Sequence, residues 1–244
     1  MARLARSLRL ARRHWSMAAG GVILLAVALM AGTAGLVFPG DPYDMVARPL
    51  MWPGAVPGLP LGTDSLGRDI AAGIFYGARI SLLVGIASTA AALTIGLTVG
   101  ALAGYYGGIV DDVLMRLTEL FQTIPQFMLA IVVVAILGPS IGAIILSLAI
   151  VSWPAVARLV RGEFLVLRQR DFVQSCIVIG MSDARIILQQ ILPNALPAVT
   201  VMSTILIATA ILMEAGLSFL GLGDPNVMTW GTMIGLGKGQ LREA

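Results

Sequence analysis

Four stretches of this 244-residue chain contain no Asp, Glu, Lys, Arg or His: 15–40, 80–110, 120–157 and 195–213. A helix needs about 20 apolar residues to cross a bilayer, and each run is close to that length or beyond it. The run 120–157 is too long for one crossing and contains Gly138-Pro139-Ser140, a turn signal. It therefore reads as two antiparallel helices, 120–137 and 141–158. Only 12% of the residues are charged, against about 25% in soluble domains. The expectation is an all-α polytopic membrane protein with five transmembrane helices.

The segments between the runs differ in character. Residues 1–14 carry Arg3, Arg6, Arg9, Arg12 and Arg13. A basic start before an apolar run also describes a signal peptide, with Thr33-Ala34-Gly35 as a conceivable cleavage site. The length of the run favours an uncleaved first span, 15–38, with a cytoplasmic basic N-terminus. Residues 39–79 contain Pro39, Pro42, Pro49, Pro53, Pro57 and Pro60 and read as an ordered or semi-extended extracytoplasmic loop. Near its end, Asp64 or Thr63 can cap a short helix running toward Tyr76. Residues 80–216 form the core, with a cytoplasmic loop at 163–192, and 217–244 form a second extracytoplasmic segment. In the second span, Gly96, Gly100 and Gly104 are suited to close helix packing. Asp111, Asp112, Arg116 and Glu119 form a charged patch after it. Pro125 and Pro154 are kink candidates. Glu214, at the end of the fifth span, reads as a structural partner of an Arg or a helix terminus, with a pathway role second.

The polar island 171–194 stands out between apolar runs. Asp171–Ile179 reads as a short amphipathic helix closed by Gly180 in the C′ position, where glycine takes positive φ without strain. Ser182 can cap a second helix, with Asp183 in its first turn. Two short helices joined at a fixed glycine make a rigid knob; an ordinary polar loop is the alternative.

Several chemistries are excluded. One cysteine, Cys176, and one histidine, His14, rule out a disulfide framework and a multi-His or Cys metal cluster. The run Gly235-Leu236-Gly237-Lys238-Gly239-Gln240 lacks the spacing and hydroxyl of a phosphate loop. No catalytic residue, hydrolase motif or intramembrane carboxylate pair is visible. If such a chain transports, its energy must come from a partner. With the N-terminus inside, the cytoplasmic segments 1–14, 103–119 and 158–192 carry eleven of the sixteen basic residues. That is the bias of the positive-inside rule, and it puts the island on the cytoplasmic side.

The island resembles the EAA loop of ABC-transporter membrane subunits. Gly180, Leu192 and Pro193 match its spacing, while Gln174, Ser175 and Cys176 stand where the family usually has Glu-Ala-Ala. A second stretch is similar to the signature of the dipeptide, oligopeptide and nickel branch, and of its second, C-type subunit. It comprises Leu61, Gly62, Thr63, Asp64, Leu66, Gly67, Arg68, Asp69, Gly77, Ala78, Arg79, Ser81 and Leu82. Glu214-Ala215, Leu217–Gly223 and Trp230-Gly231 fit the same branch. The resemblance implies a type I ABC importer permease fold with a sixth helix, which this chain, expected to be truncated, lacks. It implies a bacterial inner-membrane location and a heterodimer with a second permease subunit. It further implies two ABC ATPase subunits that bind ATP and Mg, an extracytoplasmic substrate-binding protein, and no cofactor or nucleic acid on this chain. The implied ATPase-coupling residues are Asp171, Phe172, Val173, Gln174, Ser175, Cys176, Gly180, Met181, Ser182, Asp183, Leu192 and Pro193. The implied outer-face residues are Thr63, Asp64, Gly67, Arg68, Asp69, Arg79 and Glu214, for which a structural role outweighs substrate contact. Peptide import leads over nickel or another small solute. An ion-coupled secondary transporter and a non-transporting membrane scaffold are the readings from other classes.

Overall fold

Glycines spaced four apart on one long helix decide which helices of this chain can approach closely. A computed structural model describes residues 15–239; the basic segment 1–14 and residues 240–244, with Arg242, lie outside the described residues. The described elements are all helical: α1 (Trp15–Val37), α2 (Ile70–Tyr106), α3 (Gly108–Gln122), α4 (Gln126–Leu137), α5 (Ile141–Arg168), α6 (Asp171–Val178), α7 (Asp183–Phe219) and α8 (Trp230–Gly237). Four of them, α1, α2, α5 and α7, are long and apolar enough to cross a membrane, and a fifth crossing results if the bent pair α3–α4 counts as one. The protein is an all-α, multi-pass membrane protein.

The described chain forms two compact units, 15–82 with 227–239, and 83–226. In the first, α1 buries only Ala34, and a helix apolar on all sides with so little protein around it is suited to lipid. Its end is held where Phe38 meets Phe75 edge to face, ring centroids 5.1 Å apart, and where the Tyr76 hydroxyl donates to the Phe38 carbonyl at 3.0 Å. The same unit contains α8, an element that the sequence reading did not anticipate. Thr229 and Thr232 form a reciprocal capping box at its start. Trp230 then lies over Gly77, and its indole N–H donates to the Ile74 carbonyl at 3.0 Å.

In the second unit, Gly96, Gly100 and Gly104 of α2 face α5. A methyl group added at Gly96 would collide with Val156, at Gly100 with the Ala157 carbonyl and Val160, and at Gly104 with Phe164. Backbones this close gain dispersion contacts that larger residues would block, which is the main source of helix association when lipid surrounds the bundle. The approach brings Ala101 and Tyr105 of α2 against Val156, Val160 and Phe164 of α5 in one buried cluster, which continues into Val173 of α6 and Ile186, Ile191, Ala195 and Val199 of α7.

Three boundaries differ from the sequence reading. α2 begins at Ile70, inside the stretch assigned to the loop 39–79, because Asp69 and not Asp64 or Thr63 caps it. The Asp69 carboxylate accepts from the Ala71 N–H at 2.8 Å, and its carbonyl accepts from Gly73. α2 ends at Gly107 and Gly108, both at positive φ (67° and 52°), and α3 starts there as a separate amphipathic helix. The third span, 120–137, is not one straight helix. Its chain turns through 82° between α3 and α4 at Pro125, which cannot donate to the preceding turn. The 12 residues of α4 rise about 18 Å, too short to cross the hydrocarbon alone. Pro154, the other kink candidate, lies inside the unbroken α5. In the charged patch, the Asp111 carboxylate takes both the Nε and Nη2 donors of Arg161 from α5. Asp112, Arg116 and Glu119 line an open cleft with Arg158.

Substituting Gly100→Leu should lower thermal stability in detergent by about 1–3 kcal/mol, since overpacking forces the helices apart. Gly20→Leu, on a face of α1 with nothing within 4 Å, should leave it unchanged. Fluorescence-detected size-exclusion after a temperature ramp measures both, and equal melting of the two variants would remove the close α2–α5 approach.

Candidate functional site

The knob at 171–193 is built by a helix that stops in a defined way. α6 ends in a Schellman turn: the Met181 N–H donates to the Cys176 carbonyl and the Gly180 N–H to the Ile177 carbonyl, both at 3.0 Å. Gly180 takes φ 77°, a conformation that costs an L-residue roughly 1–2 kcal/mol. Cys176 and Met181, brought together by this turn, pack against the same buried cluster as Val173. Val173 is fully buried, an anchor of about 1.5–3 kcal/mol. Away from Val173, Phe172, Val178 and Ile179 are exposed, Val178 at 85% and Ile179 at 74%, and Ile177, one turn beyond Val173, is also exposed. The knob is thus seated by one apolar face and leaves another uncovered.

The remaining island residues hold the knob together. The Gln174 amide donates to the Arg168 carbonyl at 2.9 Å, closing the C-terminus of α5. A glutamate at this position could not donate that bond, because an ionised carboxylate only accepts. The Ser175 hydroxyl donates to the Asp171 carbonyl at 2.8 Å. Asp171 itself opens α6 in its first turn, where a negative charge suits the helix dipole. Ser182 has the extended backbone of an N-cap but its side chain accepts no capping bond. Asp183 points elsewhere: its Oδ1 accepts from the Tyr105 hydroxyl at 2.7 Å.

Beyond Asp183 the chain enters a wide, π-helical turn, Ile186–Ile191. Pro193 comes next but one and has no N–H to give to the preceding turn. Leu192 instead donates five residues back, to the Ile187 carbonyl, and the Asn194 amide donates to the Gln190 carbonyl at 2.6 Å. The Leu192-Pro193 pair therefore sits where the helix changes from π to α winding, and α7 continues through it. No sequence pattern pointed to the π turn.

The residues expected on the outer face form an arrangement of their own. Gly62 and Gly67 turn at φ 74° and 82°, and a side chain on either would strike the Met51 or the Ala47 carbonyl oxygen. The Thr63 hydroxyl accepts from the Met51 N–H at 3.0 Å and donates to the Arg48 carbonyl at 2.6 Å. The Asp64 carboxylate accepts from Leu66 and Arg68 N–H groups at 2.8 and 2.9 Å. Arg68 lies over the Tyr43 ring, 4.6 Å from its centroid. Thr63, Asp64, Gly67, Arg68 and Asp69 thus come together as the fastening of a folded loop onto the start of α2. Arg79 is exposed on α2, outside this fastening. Glu214 is fully buried in α7, and its carboxylate accepts from the Ser218 hydroxyl, one turn on, at 2.7 Å.

Two long-range contacts escaped the sequence reading. Tyr105 gave no signal of its own, since an aromatic residue at a span end reads as an interfacial anchor. Ser140 is the N-cap of α5, and Asp224 adds to it by accepting from the Ile141 N–H at 3.2 Å, a contact across 83 residues that no local pattern encodes.

Comparison with known proteins agrees with this architecture. The chain is 40% identical over 227 residues to the glutathione transport system permease protein of Pectobacterium atrosepticum, covering 93% of this chain and 75% of the relative. It is 37% identical over 231 residues to the dipeptide transport system permease protein of Haemophilus influenzae, covering 92% and 78%. Among solved structures, a chain of the MetNI methionine ABC transporter in inward-facing conformations superposes with a TM-score of 0.56 at 22% identity, covering 69% of this chain and 81% of that one. That likeness establishes a shared fold of the type I ABC importer permease kind. Residues 96–237, which hold the glycine ladder, the bent pair, the knob and α7, match the family described as the inner membrane component of binding-protein-dependent transport systems. The chain belongs to that family, and is a permease subunit of an ABC importer and not itself an enzyme.

Proposed function

We propose that this permease carries peptides inward across a bacterial inner membrane, as one half of a heterodimeric pathway driven by two cytoplasmic ATPases and fed by an extracytoplasmic binding protein. The cargo reading is supported by relatives whose names specify glutathione and dipeptide transport. The orientation, with the N-terminus and the knob in the cytoplasm, is supported by the excess of basic residues in the segments it places there.

One observation carries the reading: the knob is fixed on one face and apolar but uncovered on the other. Val173 and Met181 pack with the buried cluster while Phe172, Val178 and Ile179 are exposed. An exposed apolar cluster on a rigid support fits a docking surface for a protein partner. ATP and Mg would be held by the ATPases, and closure of the ATPases would move the knob as a body. The Schellman turn at Gly180 matters here, because a soft joint would absorb the displacement. Alternating exposure of the pathway is then a two-state rearrangement biased from another chain.

Coexpression with the second permease and the ATPases tests this reading. Phe172→Asp combined with Val178→Asp should leave the chain in the membrane and reduce ATPase copurification at least about tenfold, as expected for loss of hot-spot contacts. Equal copurification would move the docking surface elsewhere. Gly180→Val should weaken copurification to a smaller degree, in line with a left-handed strain of about 1–2 kcal/mol. For the cargo, ATP-dependent uptake of a radiolabelled dipeptide by proteoliposomes should fall with excess unlabelled peptide and be indifferent to Ni²⁺; the reverse pattern would assign a metal cargo.

A further inference from the structure

Three elements meet at the ring of Tyr105, a residue that belongs to none of the motifs above. Tyr105 is the penultimate residue of α2 and only 4% exposed, packed in the cluster with Phe164, Val173 and Ile186. Its hydroxyl donates to Asp183 Oδ1 at 2.7 Å, and Asp183 opens α7 just beyond the knob's glycine turn. The guanidinium of Arg168, from the last turn of α5, lies 5.4 Å from the ring centroid. A phenylalanine would fill the same apolar space, so packing does not require the hydroxyl; only the bond to Asp183 uses it.

The backbone just beyond Tyr105 gives the contact a direction. The Gly107–Gly108 joint, with both residues at positive φ, comes immediately after the end of α2. α3 leaves this joint and is pinned to α5 by the Asp111–Arg161 pair. The knob is therefore bonded to a helix end that adjoins the most permissive backbone in the region. A hydrogen bond to an ionised carboxylate is stronger and more directional than a neutral one, so it resists being stretched when the knob is displaced.

We propose that Tyr105 is a positioning residue for transport: its hydrogen bond to Asp183 tethers the knob to the end of α2 and passes knob movement into the Gly107–Gly108 joint. Without the tether the ATPase still docks, through Phe172 and Val178, but its stroke is partly lost in bending the knob. This inference rests on the transport reading above and adds to it a residue that touches neither ATP nor cargo.

The test is made on the assembled complex in proteoliposomes, with dipeptide uptake and ATP hydrolysis measured on the same sample. Tyr105→Phe should retain ATPase copurification while the ATP hydrolysed per dipeptide rises about tenfold, the scale of one charge-assisted hydrogen bond. The ratio should also rise in Asp183→Ala, the double variant should be no worse than either single one, and Asp183→Asn, which keeps an oxygen acceptor but not the charge, should recover part of the ratio. A merely structural bond would lower thermal stability and leave the ratio alone. Wild-type uptake with an unchanged ratio in Tyr105→Phe, or multiplicative effects in the double variant, overturns the tether alone. Absence of ATP-dependent uptake by the wild-type complex overturns the transport reading and the tether's role with it.

Discussion

The close approach of α2 and α5 is the constraint on which the second unit depends. Gly96, Gly100 and Gly104 remove the side chains that would keep the backbones apart, and Val156, Ala157, Val160 and Phe164 occupy the space. In a bilayer there is little hydrophobic gain in bringing two apolar helices together, so contact area at short range has to supply the association. Because the ladder runs toward the end of α2, it also sets where Tyr105 arrives. The buried cluster around Tyr105 and Phe164 then becomes the seat for Val173, and so for the knob.

The knob shows how a short polar stretch can be held rigid between apolar helices. Eight residues of helix are too few to be stable alone. Here α6 is held by burial of Val173, by the Gln174 bond to the end of α5, and by a glycine turn that returns the chain at a fixed angle. Each uses a different part of the residue set, which leaves Phe172, Val178 and Ile179 free to face outward. The π turn and Leu192-Pro193 perform the next adjustment, reconciling the missing proline donor with an uninterrupted α7.

The proline-rich loop before α2 obeys another logic. Its signature residues look like a ligand site when read as a string of Asp, Thr and Arg, yet the side-chain oxygens of Thr63, Asp64 and Asp69 are spent on the backbone. Thr63 bridges Met51 and Arg48, Asp64 closes its own turn, Asp69 caps α2, and Arg68 covers Tyr43. A long loop with many prolines has little regular structure to satisfy its N–H and C=O groups, and side chains of this kind take over that task.

From the sequence alone one could determine what is local or periodic: the uncharged runs that must be helices in lipid, the glycine spacing and the stop at Gly180. Each depends on composition or on residues within a turn or two of each other, where sequence separation equals spatial separation. The tertiary structure decided which polar residue caps which helix, as with Asp69 in place of Asp64, because capping depends on where the loop is fastened. It decided that 120–137 is bent at Pro125, since a proline can kink, break or be absorbed according to its neighbours, and Pro154 is absorbed. It also paired Tyr105 with Asp183 across 78 residues and Asp224 with Ile141 across 83. Such contacts are set by how helices pack, and no pattern along the chain carries that information.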